Sequence, residues 1–318
     1  MKFVKYPSIE NSYQSKFIEQ ILYASTIPQN EIWHVQEKIH GANFSLWCDG
    51  EQVKAAKRSG FLAPNECFFD STKIVDRYKH KMLELADILS CQVAVFGELC
   101  GGRYNGVSQG PVIQKGVDYA PHNEFFVFDL MLDGAFIDFR SAIKTLRAFG
   151  FTPAPILFTG SLQECLDYDH EYVTKVPGML GLETLEDNIT EGNIIRPTNC
   201  YYLNSGARVI LKRKNSKFSE KSSVPRETIP IVLPDHLQLV VNNFTEYLNE
   251  NRLNSVISKI GEVTNKDFGK LQGLLIQDAL EEFNNEEYES LDKTYKKLIH
   301  KEASKFVIPI VRKALGFA

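Results

Sequence analysis

The chain has 318 residues, 43% of them hydrophobic and 24% charged, with a formal net charge of −4 at neutral pH. That length suggests two domains with sizeable cores, and the slightly acidic balance excludes a protein that coats nucleic acid by bulk charge. Six scattered cysteines without a Cys-x-x-Cys pair, a polar stretch 1–10, and no apolar run near the ~20 residues of a membrane span signal neither zinc, disulfides, signal peptide nor bilayer, so the chain is expected to be intracellular and cytoplasmic.

In chain order, strand-like runs are expected at 33–39, 44–48, 93–99, 125–131, 193–196 and 208–214, bounded by Gly, Pro, Asn and Asp. Between them, apolar residues at helical spacing predict helices over 74–89 and 139–149. The glycine-rich stretch 97–110 is read as a surface loop. This is an α+β pattern with antiparallel sheets. Composition then shifts, and 226–234, with the Ser222-Ser223-Val224-Pro225 run before it, reads as a linker between a domain 1–225 and a tail 235–318. The tail is expected to be all helical, over 237–249, 253–260, 266–283 and 290–315, with Pro309 kinking or interrupting the last helix. It carries 13 basic and 14 acidic residues from Lys221 onward, so it is no generic polycation.

The chemistry centres on Lys38, in Glu37-Lys38-Ile39-His40-Gly41-Ala42-Asn43. A lysine amine has an ordinary pKa of about 10.4, so an attacking lysine needs burial or neighbouring positive charge to lower it. Lys212 and Lys214 are two apart in a strand and so share a face. There they neutralise a phosphate and, facing Lys38, depress its pKa. The same alternation puts Lys38 with His40, and Phe126 with Phe128. One of the two phenylalanines is expected in the sheet core and the other on a purine base. Glu98 and Glu191 are candidates for Mg²⁺ or ribose hydroxyls. The basic run Lys212, Arg213, Lys214, Lys217 and Lys221 reads equally as a solvated strand edge. No Gly-x-x-x-x-Gly-Lys-Ser/Thr is present, which disfavours a P-loop enzyme, and no glycine fingerprint for a dinucleotide precedes a helix.

Taken together, Lys38-Ile39-His40-Gly41, Phe96-Gly97-Glu98-Leu99, Phe126-Val127-Phe128-Asp129-Leu130, Glu191-Gly192-Asn193-Ile194-Ile195 and Leu211-Lys212-Arg213-Lys214-Asn215 resemble motifs I, III, IIIa, IV and V of the covalent nucleotidyltransferases. His40 and Ser216-Lys217-Phe218-Ser219-Glu220 are similar to the RNA ligase 2 family, which includes a phage double-stranded RNA ligase and the trypanosome RNA-editing ligases. Ser8-Ile9-Glu10-Asn11, Ser15-Lys16-Phe17-Ile18-Glu19, Val256-Ile257-Ser258-Lys259-Ile260-Gly261-Glu262 and Lys266-Asp267-Phe268-Gly269-Lys270 resemble its phage branch.

The resemblance implies an ATP-grasp-like ligase domain followed by the helical domain. The implied activity is an ATP-dependent RNA ligase that seals 3′-hydroxyl and 5′-phosphate ends, in nicked duplex RNA, as a monomer. It implies AMP linked to Lys38, His40 near the departing pyrophosphate, and Arg58 and Glu98 on the ribose. It further implies Phe128 on adenine, Glu37 within the nucleotide site, and Glu191 at Mg²⁺ or Mn²⁺. Lys212 and Lys214 would hold the α-phosphate, Asn43 would assist strand sealing, and the helical tail would help engage the 5′-phosphate end. Ala42 stands where the phage enzyme has threonine, and the stretch 100–114 is longer than in the phage branch and similar to the editing ligases. A DNA ligase or mRNA-capping guanylyltransferase shares the lysine chemistry but normally carries a β-barrel after the catalytic domain and aspartate where His40 stands. A catalytically silent RNA-binding module would be expected to lack one of Lys38, Glu191 or Lys212.

Overall fold

The stretch SerThrLysIleValAspArgTyr onward shows how the sequence builds the first core. In the helix Ser71–Leu89, Ile74, Tyr78, Met82, Leu85 and Ala86 recur three and four residues apart and are all buried. They pack on Ala42, Phe44, Leu46 and Cys48, which alternate along one face of a strand. The computed structural model describes residues 1–64, 66–219, 235–283 and 285–316. They fall into two units, Met1–Lys217 and Phe218–Ala318. The expected linker, 226–234, lies outside the described residues, as do Glu220 and Lys221 of the basic run.

The first unit holds two sheets. One has the strand order Glu10–Asn11, Leu211–Lys214, Gly192–Pro197, Trp33–Glu37, Ile156–Gly160. The other runs Gly60–Phe61, Val53–Lys57, Ala42–Cys48, Val93–Arg103, Ala120–Leu132, Ala135–Phe136, with Thr152–Pro153 added beside Ala120–Leu132. Pairing is antiparallel except at Glu10–Asn11 and Thr152–Pro153, which pair in parallel. The α+β expectation therefore holds. Residues 38–41 carry the chain from the first sheet into the second, so Lys38 sits between them.

A buried charge cluster joins the sheets. Asp129, fully buried in the second sheet, accepts hydrogen bonds from Arg196 of the first sheet (Nη2, 3.0 Å), from Arg208 (Nη1, 2.6 Å; Nη2, 3.0 Å) and from the Tyr6 hydroxyl (2.7 Å). Arg196 also donates to the Phe128 carbonyl at 3.0 Å. Burial pushes the Asp129 carboxyl up, but the two guanidinium groups outweigh it and hold it below the usual carboxylate range.

Two expectations need correction. The stretch 97–110 is not all loop, because the strand Val93–Arg103 runs through Gly97, Gly101 and Gly102. Register shifts at Phe96/Gly97 and Gly101/Arg103 absorb the glycines as strand irregularities. The strand expected from 208 begins at Leu211, since Arg208 turns inward to Asp129. In the second unit, a short helix, Glu286–Ser290, precedes the one expected over 290–315, which spans Lys293–Ala314. The Asp292 carboxylate caps the latter by accepting the Thr294 and Tyr295 N–H groups. Pro309 lies inside Lys293–Ala314 without interrupting it.

The second unit packs these with Asp235–Thr245, Glu250–Ile260 and Phe268–Glu282. Phe244, Leu253, Leu271, Leu275, Ala303 and Val307 are among its core. Inside it, buried Arg252 binds Asp278 at 2.9 Å and Glu282 at 2.7 Å. Among the described residues, no helix is long and apolar enough to cross a membrane.

Replacing Asp129 by Ala strands two buried guanidinium groups, so Asp129→Ala is expected to cost about 3–5 kcal/mol, read from urea unfolding followed by tryptophan fluorescence. A loss below about 1 kcal/mol would show that the cluster does not hold the sheets. Because its folded pKa is depressed, its contribution is present above the unfolded value and is lost as pH falls through the folded one.

Candidate active site

The segment 38–41 is held at three points. The Lys38 amide donates to the Gly192 carbonyl at 2.9 Å. The His40 amide donates to the Tyr119 hydroxyl at 2.9 Å. Gly41 lies so close to the next strand that a Cβ would meet the Leu99 carbonyl oxygen at 2.2 Å, so no other residue fits there without backbone movement. Gly192, at φ +141°, is a second such point: its Cβ would meet the Arg213 carbonyl oxygen at 2.0 Å. These close approaches bring three elements together around one side chain.

That side chain is Glu191. Its Oε2 lies 2.7 Å from Lys38 Nζ and 3.3 Å from His40 Nδ1, and its Oε1 lies 3.0 Å from Lys214 Nζ. The pairing follows from register, since Lys214 stands opposite Gly192 across the antiparallel strands. Glu191 is 2% exposed, whereas Lys38, His40 and Lys214 are 19%, 17% and 13% exposed. Burial pushes its carboxyl up, but Lys38, Lys214 and His40 outweigh it and hold it well below the usual range. The Lys38 and Lys214 ammonium groups share this carboxylate, whose charge stands between them. Lys212 lies two residues before Lys214 on the same face by alternation and is partly buried.

Glu98 forms the second carboxylate of the cleft. It lies in a cross-strand row with Asn43 and Phe126, all on one face of the second sheet. Burial pushes its carboxyl up to about 7; the Glu191 charge adds to the rise, and Lys38, Arg58 and Lys214 oppose it. Arg58, in the turn after Val53–Lys57, is thus near enough to act on Glu98. Phe126 is fully buried, as one of the two phenylalanines was expected to be. Phe128 keeps some exposure at the Phe96/Gly97 register shift, its ring edge-on to Tyr6 at 5.2 Å between centroids. Glu37, 1% exposed, is turned to the Thr174 hydroxyl and, at 2.8 Å, the Lys175 amide.

The structure therefore gathers Lys38, His40, Lys214 and Glu191 in direct contact, with Glu98 and Arg58 within electrostatic reach. It does not bring the Glu37 carboxylate into that contact. Among the described residues, no three His, Cys, Asp or Glu side chains are grouped to hold a metal. The site fits a divalent cation only if substrate oxygens complete its shell around Glu191 or Glu98, as magnesium sites with phosphates commonly do. Sequence reasoning missed Tyr119, Thr174 and the Asp129 cluster. The one available signal was charge inside apolar strands, as in Phe126-Val127-Phe128-Asp129-Leu130 and Ile194-Ile195-Arg196.

Comparison with known proteins adds the lineage. The RNA ligase family profile matches residues 31–214, and that of T4 RNA ligase 2 C-terminal matches residues 232–307. RNA-editing ligase 1, mitochondrial, of Trypanosoma brucei brucei is 29% identical, covering 88% of this chain and 76% of the relative. RNA-editing ligase 2, mitochondrial, of the same organism is 26% identical, covering 96% and 88%. A solved RNA ligase variant of Naegleria gruberi with AMP and Mn aligns at TM-score 0.47 and 14% identity over 68% of this chain. The chain spans 57% of that ligase's length. The family match covers more than half of the chain, which therefore belongs to the RNA ligase family, with the RNA ligase 2 type of C-terminal region.

Ionising Glu98 costs stability as pH rises from its unfolded value of 4.5 to about 7, because the folded state then keeps a proton that the unfolded state has lost. Glu98→Gln removes that cost. The variant is expected to gain about 1–3 kcal/mol over the native chain at pH 8, allowing for partial exposure to water, and little at pH 4. Urea unfolding at the two pH values measures this, and an equal difference at both would contradict the assignment.

Proposed function

We propose that this RNA ligase family member joins RNA 3′-hydroxyl and 5′-phosphate ends in an ATP-dependent reaction through Lys38. The observation that carries the reading is the Glu191 carboxylate shared by Lys38, His40 and Lys214 at the crossing between the sheets.

In the first step Lys38 Nζ, having lost its proton, attacks the α-phosphorus of ATP. A phosphorus–nitrogen bond forms, the bond to the bridging oxygen breaks, and pyrophosphate leaves. Lys214 and Lys212 neutralise charge that gathers on the α-phosphate. His40, hydrogen-bonding distance from Glu191, stands where the departing pyrophosphate must pass. The ammonium of Lys38 donates to Glu191 before substrate enters, so Glu191 holds the nucleophile in place and must release it for attack. Arg58 and Glu98 are suited to ribose hydroxyls, Asn43 in the same row to the nucleotide side of the RNA end, and the exposed part of Phe128 to the adenine face. Glu191 would hold a divalent Mg²⁺ or Mn²⁺, which would supply further charge neutralisation.

Two transfers complete the cycle. AMP passes from Lys38 to the RNA 5′-phosphate oxygen, and the 3′-hydroxyl then attacks that phosphate and releases AMP. A nick in duplex RNA is the favoured substrate, because an A-form helix presents phosphates and 2′-hydroxyls in a fixed arrangement. The second unit, Phe218–Ala318, is assigned to the 5′-phosphate end.

With radiolabelled ATP and Mg²⁺, the wild-type chain is expected to carry covalent AMP and Lys38→Ala none. Label on Lys38→Ala would refute the assignment of the nucleophile. Sealing assayed on a nicked RNA duplex, a nicked DNA duplex and free single strands is expected to be fastest on the first, and a faster rate on DNA would overturn the substrate assignment.

A further inference from the structure

Tyr119, which follows the stretch 100–114, reaches the backbone of the Lys38–Gly41 crossing. Its ring is fully buried, and its hydroxyl accepts the His40 N–H at 2.9 Å. That amide lies between the strands Trp33–Glu37 and Ala42–Cys48 of the two sheets. The segment before Tyr119 is itself anchored. Arg103 binds the Asp118 carboxylate at 3.0 Å, and the Asp118 amide donates to the Asn188 side chain at 2.8 Å. The Asn188 amide nitrogen donates at 2.5 Å to the Asp118 carbonyl, and Lys217 donates at 2.6 Å to the Gly116 carbonyl. The Tyr104 hydroxyl donates to the Glu183 carbonyl.

These contacts fix the position of the Tyr119 hydroxyl independently of the crossing it holds. The His40 ring, one residue's backbone away, meets Glu191 at 3.3 Å. Rotation of the His40 peptide would move that ring away from Glu191. Gly41 gives no side-chain resistance of its own, so the peptide orientation depends on its hydrogen bonds.

We propose that Tyr119 is a positioning residue for the lysine-adenylation step, setting the His40 peptide and through it the placement of His40 against Glu191. The inference rests on the ligase reading above. It gives Tyr119, which follows the stretch 100–114, a role at the crossing between the sheets.

The test compares wild type, Tyr119→Phe, His40→Ala and the double variant in two assays: single-turnover attachment of AMP from ATP, and sealing of a pre-adenylated RNA nick without ATP. Tyr119→Phe is expected to slow AMP attachment about 10-fold, with half-saturation by ATP unchanged, to leave pre-adenylated sealing within twofold, and to add nothing in the His40→Ala background. Equal slowing of both assays, or additive losses in the double variant, would assign Tyr119 a merely structural role and overturn the proposal. So would wild-type rates in Tyr119→Phe. A wild-type chain that never acquires AMP would instead overturn the ligase reading itself, which separates the two failures.

Discussion

A single buried carboxylate organises the cleft. Taking Glu191 out of water costs several kcal/mol, and only close positive partners with good geometry offset that. Lys38 and His40 provide them from the crossing between the sheets, and Lys214 from the end of a strand paired opposite Gly192. Lys38, His40 and Lys214 are thus held against one anchor. The two lysine ammonium groups beside that carboxylate leave a net positive charge there.

The same chain contains a second cluster of similar composition with a different role. Asp129 with Arg196 and Arg208 is also a carboxylate between cations, but its cations are 3% and 2% exposed and Tyr6 completes it. Nothing is left open to a ligand, so that cluster joins the sheets. At Glu191 the lysines remain partly open to solvent. Exposure, rather than residue type, separates the two clusters. The two depend on each other, since the crossing 38–41 spans the sheets that Asp129 holds together.

Much of this was legible in the chain itself. Short apolar strands interrupted by Lys38, Glu98, Glu191, Lys212 and Lys214 announce groups that the fold must place in a cleft, and alternation correctly set Lys212 and Lys214 on one face. The helices 74–89 and 139–149 followed from periodicity and match Ser71–Leu89 and Phe139–Ala148 closely. What periodicity cannot carry is long-range pairing. Asp129 meets Arg208 across 79 residues, Glu37 meets Thr174 across 137, and Tyr119 meets His40 across 79. The strand through Gly97, Gly101 and Gly102 was hidden for another reason. Glycines that signal a loop in isolation serve here as irregularities in a paired strand.

The central claim is that Glu191 holds the nucleophile and its neighbours in register. Its most direct measurement is the single-turnover rate of covalent AMP attachment for Glu191→Gln beside wild type, with circular dichroism confirming the fold. Loss of the shared charge is expected to slow attachment by about 10²–10³-fold, the scale of removing one preorganised electrostatic contact. A rate within twofold of wild type, in a folded variant, would contradict the account.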